Sequence, residues 1–326
     1  MTAAGGPRSQ KRYRIAFVGT ALLLLAIIVT LPFTLASVVD EVLGPVTGKV
    51  VPLLRVPPAA LAPVHSRLHL AVIHIDEIQL LASLRVSGHH TCGGVCPWRH
   101  RLVLVSVGTS DDGAEGLAPP SESILLPDTG EAVFETVQLP ISGAPIRYPF
   151  DRYRLVLGVA LQRVYPDGHV ATLTRDETSR ELQLTIQGQL SRRSMSAPVP
   201  IDPGDLRSYG SPVTYAVVYA LAFEQPRYLK SLAVLLVLLI AAAAASAVFL
   251  RSLEDLLANS GTLVLSVWGV RAILTPGNIF YLTAIDLALS MVLLFLLSGI
   301  TVKALIFVHD RGDLRLLRRS PRAGRQ

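Results

Sequence analysis

The sequence predicts a membrane protein in which an antiparallel β-sandwich-like extracytoplasmic domain is joined to a four-helix transmembrane region. Three observations carry this expectation: long uncharged runs near both ends of the chain, a basic excess confined to the tails, and a middle region of short β-branched segments parted by turn residues. Of the 326 residues, 51% are hydrophobic and 17% charged. That balance excludes disorder, collagen-like repetition, a long coiled coil and a dense disulfide scaffold, each of which needs a different bias in charge, glycine, heptads or cysteine.

The net charge of +6 is unevenly spread. Residues 40–228 hold 16 Lys/Arg against 19 Asp/Glu, a net of −3, and the rest of the chain holds 14 against 5, a net of +9. Most of that excess is Arg8, Lys11, Arg12 and Arg14 before the first apolar run and Arg311, Arg315, Arg318, Arg319, Arg322 and Arg325 after the last. Basic residues beside spanning helices are held in the cytoplasm and touch anionic headgroups, so the charge marks topology and a bilayer partner, not nucleic acid. Both tails, 1–14 and 309–326, are expected to be cytoplasmic.

Residues 15–39 are 25 consecutive uncharged positions, longer than the roughly 20 needed to cross about 30 Å of hydrocarbon. Thr34-Leu35-Ala36 resembles a signal-peptide cleavage site, but the apolar core exceeds the roughly 7–15 residues of such peptides, so an uncleaved anchor is expected. Pro32 bends or ends this helix. The second span, 231–250, is bracketed by Lys230 and Arg251, and its alanine run at 241–245 offers a small-residue packing face. The third, 256–274, stops where Thr275-Pro276-Gly277-Asn278 forces a reversal. The fourth, 281–308, is interrupted only by Asp286 near its start and Lys303 near its end. Arg271 and Asp286 flank the turn between the last two helices at similar depth. A structural ion pair is the expectation, with an ion or proton path through Asp286 as the alternative.

Everything substantial outside the spans lies in residues 40–228, enough for a domain with its own core. Its first part, 46–63, is proline-rich and reads as an irregular entry segment. Strands are then expected at 68–75, 78–86, 101–107, 132–139, 153–164, 169–174 and 181–187, with Pro166-Asp167-Gly168 turning a hairpin. Residues 194–212 are again irregular, and the alternation of Val213, Tyr215, Val217, Tyr219, Leu221 and Phe223 marks a last strand leading into the second span.

Cys92 and Cys96 are the only cysteines, and the topology places them where thiols oxidise. A disulfide is expected, helped by the two glycines between them. His89, His90 and His100 surround them, so a metal or redox site is one alternative and free structural thiols another. His65, His69 and His74 read as a solvated strand edge. No catalytic, cofactor-binding or metal-ligating residue is assigned, because no nucleophile elbow, zincin helix, phosphate loop or dinucleotide fingerprint is present.

Tyr148-Pro149-Phe150-Asp151-Arg152-Tyr153 is the most distinctive hexapeptide. It is expected to start a strand, with Pro149 at a turn, Phe150 in the core and Asp151 paired to Arg152 or Arg154. The hexapeptide resembles the Y-P-F-D-x-Y signature of an actinobacterial family of integral membrane proteins of unknown function. The resemblance implies one amino-terminal span, a β-rich outer domain and three carboxy-terminal spans, and it extends to Arg271, Pro276, Gly277 and Asp286. It implies no activity, substrate or cofactor. Pro149-Phe150-Asp151 also resembles a short element of pentameric ligand-gated channels, from which the order of spans departs here.

Two functions follow as expectations. One is a non-enzymatic envelope protein whose outer domain binds an envelope protein, a wall component or a small ligand. The other is a transport or channel component, possible as a homo-oligomer, that couples outer-domain binding to the helices.

Overall fold

The computed structural model describes residues 48–54, 66–91, 96–107, 120–127, 129–190, 193–202, 214–274 and 282–318, with isolated positions between 18 and 39. The expected first span, 15–39, therefore lies outside the continuously described residues. The chain divides into a β-rich unit, residues 39–145 and 150–226, and a helical unit, residues 1–38, 146–149 and 227–326.

Two sheets build the β-rich unit. The first contains β1 (Val51–Leu54), β2 (Ser66–Asp76), β3 (Leu81–Thr91), β6 (Thr129–Pro140) and β10 (Leu182–Gly188), in the order β1-β10-β2-β3-β6. The second contains β4 (Arg99–Ser106), β5 (Ser121–Leu125), β8 (Arg152–Val164) and β13 (Val217–Glu224). Short strands β7 (Ser142–Gly143), β9 (Val170–Thr172), β11 (Ser194–Met195) and β12 (Val199–Pro200) pair onto β8 or β13. A short helix, α1 (Arg175–Glu181), leads directly into β10.

Among the described strands pairing is antiparallel with one exception, which corrects the all-antiparallel expectation: β10 runs parallel to β2, from Leu182 against Ser66 to Gly188 against Val72. A parallel neighbour needs a long crossover, and here the intervening chain builds most of the second sheet before returning. Hairpin signals in sequence report only strands adjacent along the chain.

Period-2 alternation explains the core. Leu68, Leu70 and Val72 of β2, Leu84 and Val86 of β3, and Leu184 and Ile186 of β10 join Leu102 and Leu104 of β4, Leu155, Leu157 and Leu161 of β8, and Leu221 and Phe223 of β13 in one apolar cluster. Both sheets thus bury their inward faces together. Fully burying each such side chain contributes about 1.5–3 kcal/mol.

Several boundaries differ from the sequence reading for local reasons. Ile78, expected to begin a strand, lies in a turn whose amides at Ile78 and Gln79 both donate to Asp76 Oδ1 at 2.9 Å. The strand resumes after Leu80, whose φ is 54°. Val51–Leu54, expected to be irregular, gains its strand from β10 across the sheet. Helix α1, between two expected strands and not expected from the sequence, starts on a capping box: Glu177 Oε2 accepts from Thr174 N at 2.8 Å and Thr174 Oγ1 accepts from Glu177 N at 3.4 Å. The Pro166-Asp167-Gly168 turn carries Gly168 at φ 87°, its amide donating to Tyr165 O at 3.0 Å.

The helical unit contains α2 (Arg227–Leu250), α3 (Leu253–Leu274) and α4 (Ala284–Arg318). All three are long and apolar enough to cross a membrane. Ser252 caps α3, its Oγ accepting from Asp255 N at 3.2 Å. Ala244 and Ala247 are buried, and a Cβ on Gly299 would stand 2.7 Å from Val248, so α4 and α2 approach through small residues. Helix α4 runs on past 308, the expected end of the span, to Arg318.

Gly88 in β3 has φ 148°, and a Cβ there would stand 2.1 Å from the carbonyl oxygen of Arg67. Gly168 also has positive φ but open space around it. Gly88→Ala should therefore cost several kcal/mol in chemical unfolding of the β-rich unit. Gly168→Ala should cost only the left-handed backbone penalty of about 1–2 kcal/mol. Equal effects would refute the steric account.

Candidate functional site

The hexapeptide at 148–153 is divided between the units: Tyr148 and Pro149 belong to the helical one, and Phe150 onward to the β-rich one. Tyr148 is 2% exposed and packs among Ala233, Ile240, Val267, Ile285 and Leu289. Its hydroxyl donates to the carbonyl oxygen of Leu274 at 2.7 Å. Leu274 is the last residue of α3, where helix carbonyls lack intrahelical donors, so the phenol completes that helix end. Pro149 sits in a turn, and its peptide bond with Tyr148 is cis.

In the β-rich unit, two expectations about the hexapeptide are corrected. Phe150 is 49% exposed, not in the core, and Asp151, fully buried, pairs with Arg193 instead of Arg152 or Arg154. The alternation of an extended chain is the reason: Asp151 and Tyr153 face inward, while Phe150, Arg152 and Arg154 face out. Arg152 instead pairs with Glu224 on β13 at 2.5 Å.

Arg193 is the centre of a buried ionic cluster. Its guanidinium meets Asp151 Oδ2 at 2.6 Å and bonds Glu77 Oε1, and it stacks 4.4 Å from the Tyr153 ring centroid. Burial disfavours its charge, but Asp151 and then Glu77 more than compensate, holding its pKa above the ordinary arginine value. Glu77 comes from the turn between β2 and β3, and Asp151 from the start of β8, so the cluster ties one sheet to the other.

In the helical unit Arg271 Nε donates to Asp286 Oδ1 at 2.6 Å. Asp286 does more than pair: its Oδ2 accepts from Thr283 N and Thr283 Oγ1, each at 3.0 Å, and its own amide donates to Thr283 Oγ1 at 3.3 Å. That is a capping box at the start of α4. The basic residue lies in the last turn of α3 and the acid in the first turn of α4, each at the helix end whose dipole it favours.

The histidines around the cysteines separate into two groups. His89 is exposed on one face of β3, and alternation sends His90 to the other. There the sheets are bridged by a hydrogen-bonded chain. Ser66 Oγ is 2.5 Å from His90 Nδ1, His90 Nε2 is 3.2 Å from His100 Nδ1, and His100 Nε2 is 2.8 Å from Glu181 Oε2. Glu181 also binds Arg163. Because an ionised carboxylate only accepts, His100 donates to Glu181, and with both imidazoles neutral His90 donates to His100 and the Ser66 hydroxyl to His90. Burial alone would raise the Glu181 pKa. The hydrogen bonds from His100 and Arg163 outweigh that and hold it below the ordinary carboxylate range. The polarised Ser66 hydroxyl is itself buried, so the chain acts as a tie between sheets.

Cys92 and His65 lie outside the described residues, and with Cys92 the expected bridge to Cys96. Among the described residues no group of three or more His, Cys, Asp or Glu is placed to hold a metal ion. The solvated-edge reading of His69 is corrected: β2 is an interior strand, and His69 Nδ1 and Nε2 bond Thr185 Oγ1 at 2.9 Å and Gln187 Oε1 at 3.1 Å. His74 is exposed. Sequence reasoning missed Arg193, Ser66 and Glu181. Only Glu181 had a signal, the Thr174-x-x-Glu177 box that founds its helix. No family model and no curated protein matches the chain.

Three measurements follow. Arg193→Ala leaves Asp151 buried and uncompensated, and should cost about 3–5 kcal/mol in unfolding, whereas Arg193→Met with Asp151→Leu should recover much of it. Exchanging Arg271→Asp with Asp286→Arg should restore the ion pair but not the cap, leaving a deficit of about 0.5–2 kcal/mol. Complete rescue would show that the cap contributes nothing. A depressed folded-state pKa at Glu181 stabilises above the unfolded value of that group and loses this contribution as pH falls through the folded value. Stability should therefore drop from neutral to acidic pH below the ordinary carboxylate range, with Glu181→Gln flattening the profile; an unchanged profile would dismiss this role.

Proposed function

We propose that the chain is a non-enzymatic integral membrane protein of the cell envelope. Its β-sandwich-like domain lies outside and binds a partner or ligand, and both termini are cytoplasmic. The observation that carries the reading is the surface of the three long helices. Leu265, Trp268, Ile273, Leu294 and Leu305 are among many large apolar side chains they expose, a surface that acyl chains would cover and water would not. The basic tails supply the orientation. The likeness of residues 148–153 to the Y-P-F-D-x-Y family and a Cys92–Cys96 disulfide belong to this proposal.

A second reading, transport or ligand-coupled gating, is favoured by one observation: a single hexapeptide supplies Tyr148 to the helical core and Asp151 to the ionic cluster of the β-rich unit. A change in strand position has a covalent route to the end of α3.

The test is labelling with a membrane-impermeant thiol reagent in a background lacking Cys92 and Cys96. Ser123→Cys should react in intact cells and Arg322→Cys only after permeabilisation. The reverse pattern would defeat the topology. Ligand-independent absence of conductance in liposomes would favour the anchor, and a conducting closed ring of subunits the coupled channel.

A further inference from the structure

The inward side of the β1-β10-β2-β3-β6 sheet is apolar core, and the opposite side has a different chemistry. Strand registers define its rows. Gln183, Arg67, His89 and Ala132 stand side by side, and so do Thr185, His69, Ser87 and Phe134. Gln187, Ala71, Arg85 and Thr136 form the next row, and His74, Ser83 and Gln138 another. None of these positions carries a carboxylate. Asp76, at the end of the sheet, is turned into its own hairpin turn, and Glu135 belongs to the opposite face of edge strand β6.

Neither Arg67 nor Arg85 has a carboxylate partner among the described residues. Arg85 Nε is buried without a hydrogen-bond partner, and the Arg85 guanidinium lies 5.2 Å from the centroid of the Phe134 ring. That ring is 68% exposed. An unpaired guanidinium held over an open aromatic ring costs desolvation and returns little unless something further binds. Beside it, His69 bonds Thr185 and Gln187 through its two ring nitrogens and Gln187 bonds the Gly48 carbonyl, so these groups form a fixed floor beneath the open positions and do not have to be ordered on binding.

We infer that this sheet face binds an acidic polysaccharide running along the strands. The inference deepens the proposed function, resting on the β-rich unit being the outer, ligand-binding part. The two arginines supply the charge recognition, and Gln183, His89, Ser87, Thr136 and Gln138, which lie outside the bonded set of His69, Thr185 and Gln187, hydrogen-bond sugar hydroxyls. Phe134 offers a flat apolar platform for the C–H side of a sugar ring. Arg67 and Arg85 are four residues apart in register on neighbouring strands, about 13 Å at roughly 3.3 Å per residue. A ligand meeting both is therefore an extended chain and not a single small anion. A protein partner would need a larger apolar centre than one phenyl ring provides.

The test uses the full chain in a non-ionic detergent and titrates in a polyuronate oligosaccharide of at least four sugars, a neutral glucan of the same length, and phosphatidylglycerol vesicles. The polyuronate should bind, more weakly at high salt, and the neutral glucan at least about tenfold more weakly. Phe134→Ala, Arg85→Gln and Arg67→Gln should each weaken polyuronate binding about tenfold. Phe134 is exposed, so its variant should keep the melting transition of the unaltered protein. Absence of polyuronate binding, equal affinity for the neutral glucan, binding of vesicles alone, or variants that bind unchanged would each overturn the inference. Thiol labelling decides the outer placement separately, so an outer domain that ignores polyuronate refutes this face and leaves the proposed function standing.

Discussion

Arg193 brings a permanent positive charge into the interior of the β-rich unit, and the surrounding structure answers that charge. A guanidinium so buried is tolerated only if carboxylates and an aromatic face replace the water it has lost. Asp151 and Glu77 supply the carboxylates, and Tyr153 supplies the face. Because these three arise from the turn after β2 and from the start of β8, the charge cannot be satisfied unless the two sheets are in place together. The hexapeptide at 148–153 is therefore held at its Asp151 end by electrostatics. Its Tyr148 end is held by packing and by a hydrogen bond to the last carbonyl of α3.

The same logic recurs at smaller scale wherever a backbone end or buried polar group needs a partner. Asp286 serves three groups at once, neutralising Arg271 and closing the first turn of α4 through Thr283. Ser66, His90, His100 and Glu181 form a one-directional run of donors ending on a carboxylate, and Arg163 balances the charge at its end. In each case the group with chemical potential is spent on structure. The outer face of the first sheet differs, because there Arg85 is left beside an exposed ring and without an anion.

Much of the architecture was legible in residue order. The aliphatic and β-branched runs of β2 and β8, the alternation along β13 and the uncharged runs at 231–250 and 281–308 are local patterns, set by the geometry of one strand or one helix. So is the Pro166-Asp167-Gly168 turn. The candidate site was less legible. Arg193 sits in a stretch with no periodicity, and its partners Asp151 and Glu77 are 42 and 116 residues away. Ser66 and Glu181 stand 24 and 81 residues from the histidines they support, and nothing in either neighbourhood announces the pairing.

The sequence by itself determined most of the longer strands, with β1, β5 and α1 outside its reach, which faces are apolar, and that three described helices are long and apolar enough to cross a bilayer. These follow from side-chain periodicity and from the cost of placing unsatisfied backbone or charge in hydrocarbon. Only the tertiary structure decided that β10 runs parallel to β2, that Asp151 answers Arg193 and not its neighbours Arg152 and Arg154, and that His90 and His100 meet while His89 turns away. Partner choice depends on which strands lie side by side and which way each residue faces. A chain that returns after more than a hundred residues carries no local trace of where it will land.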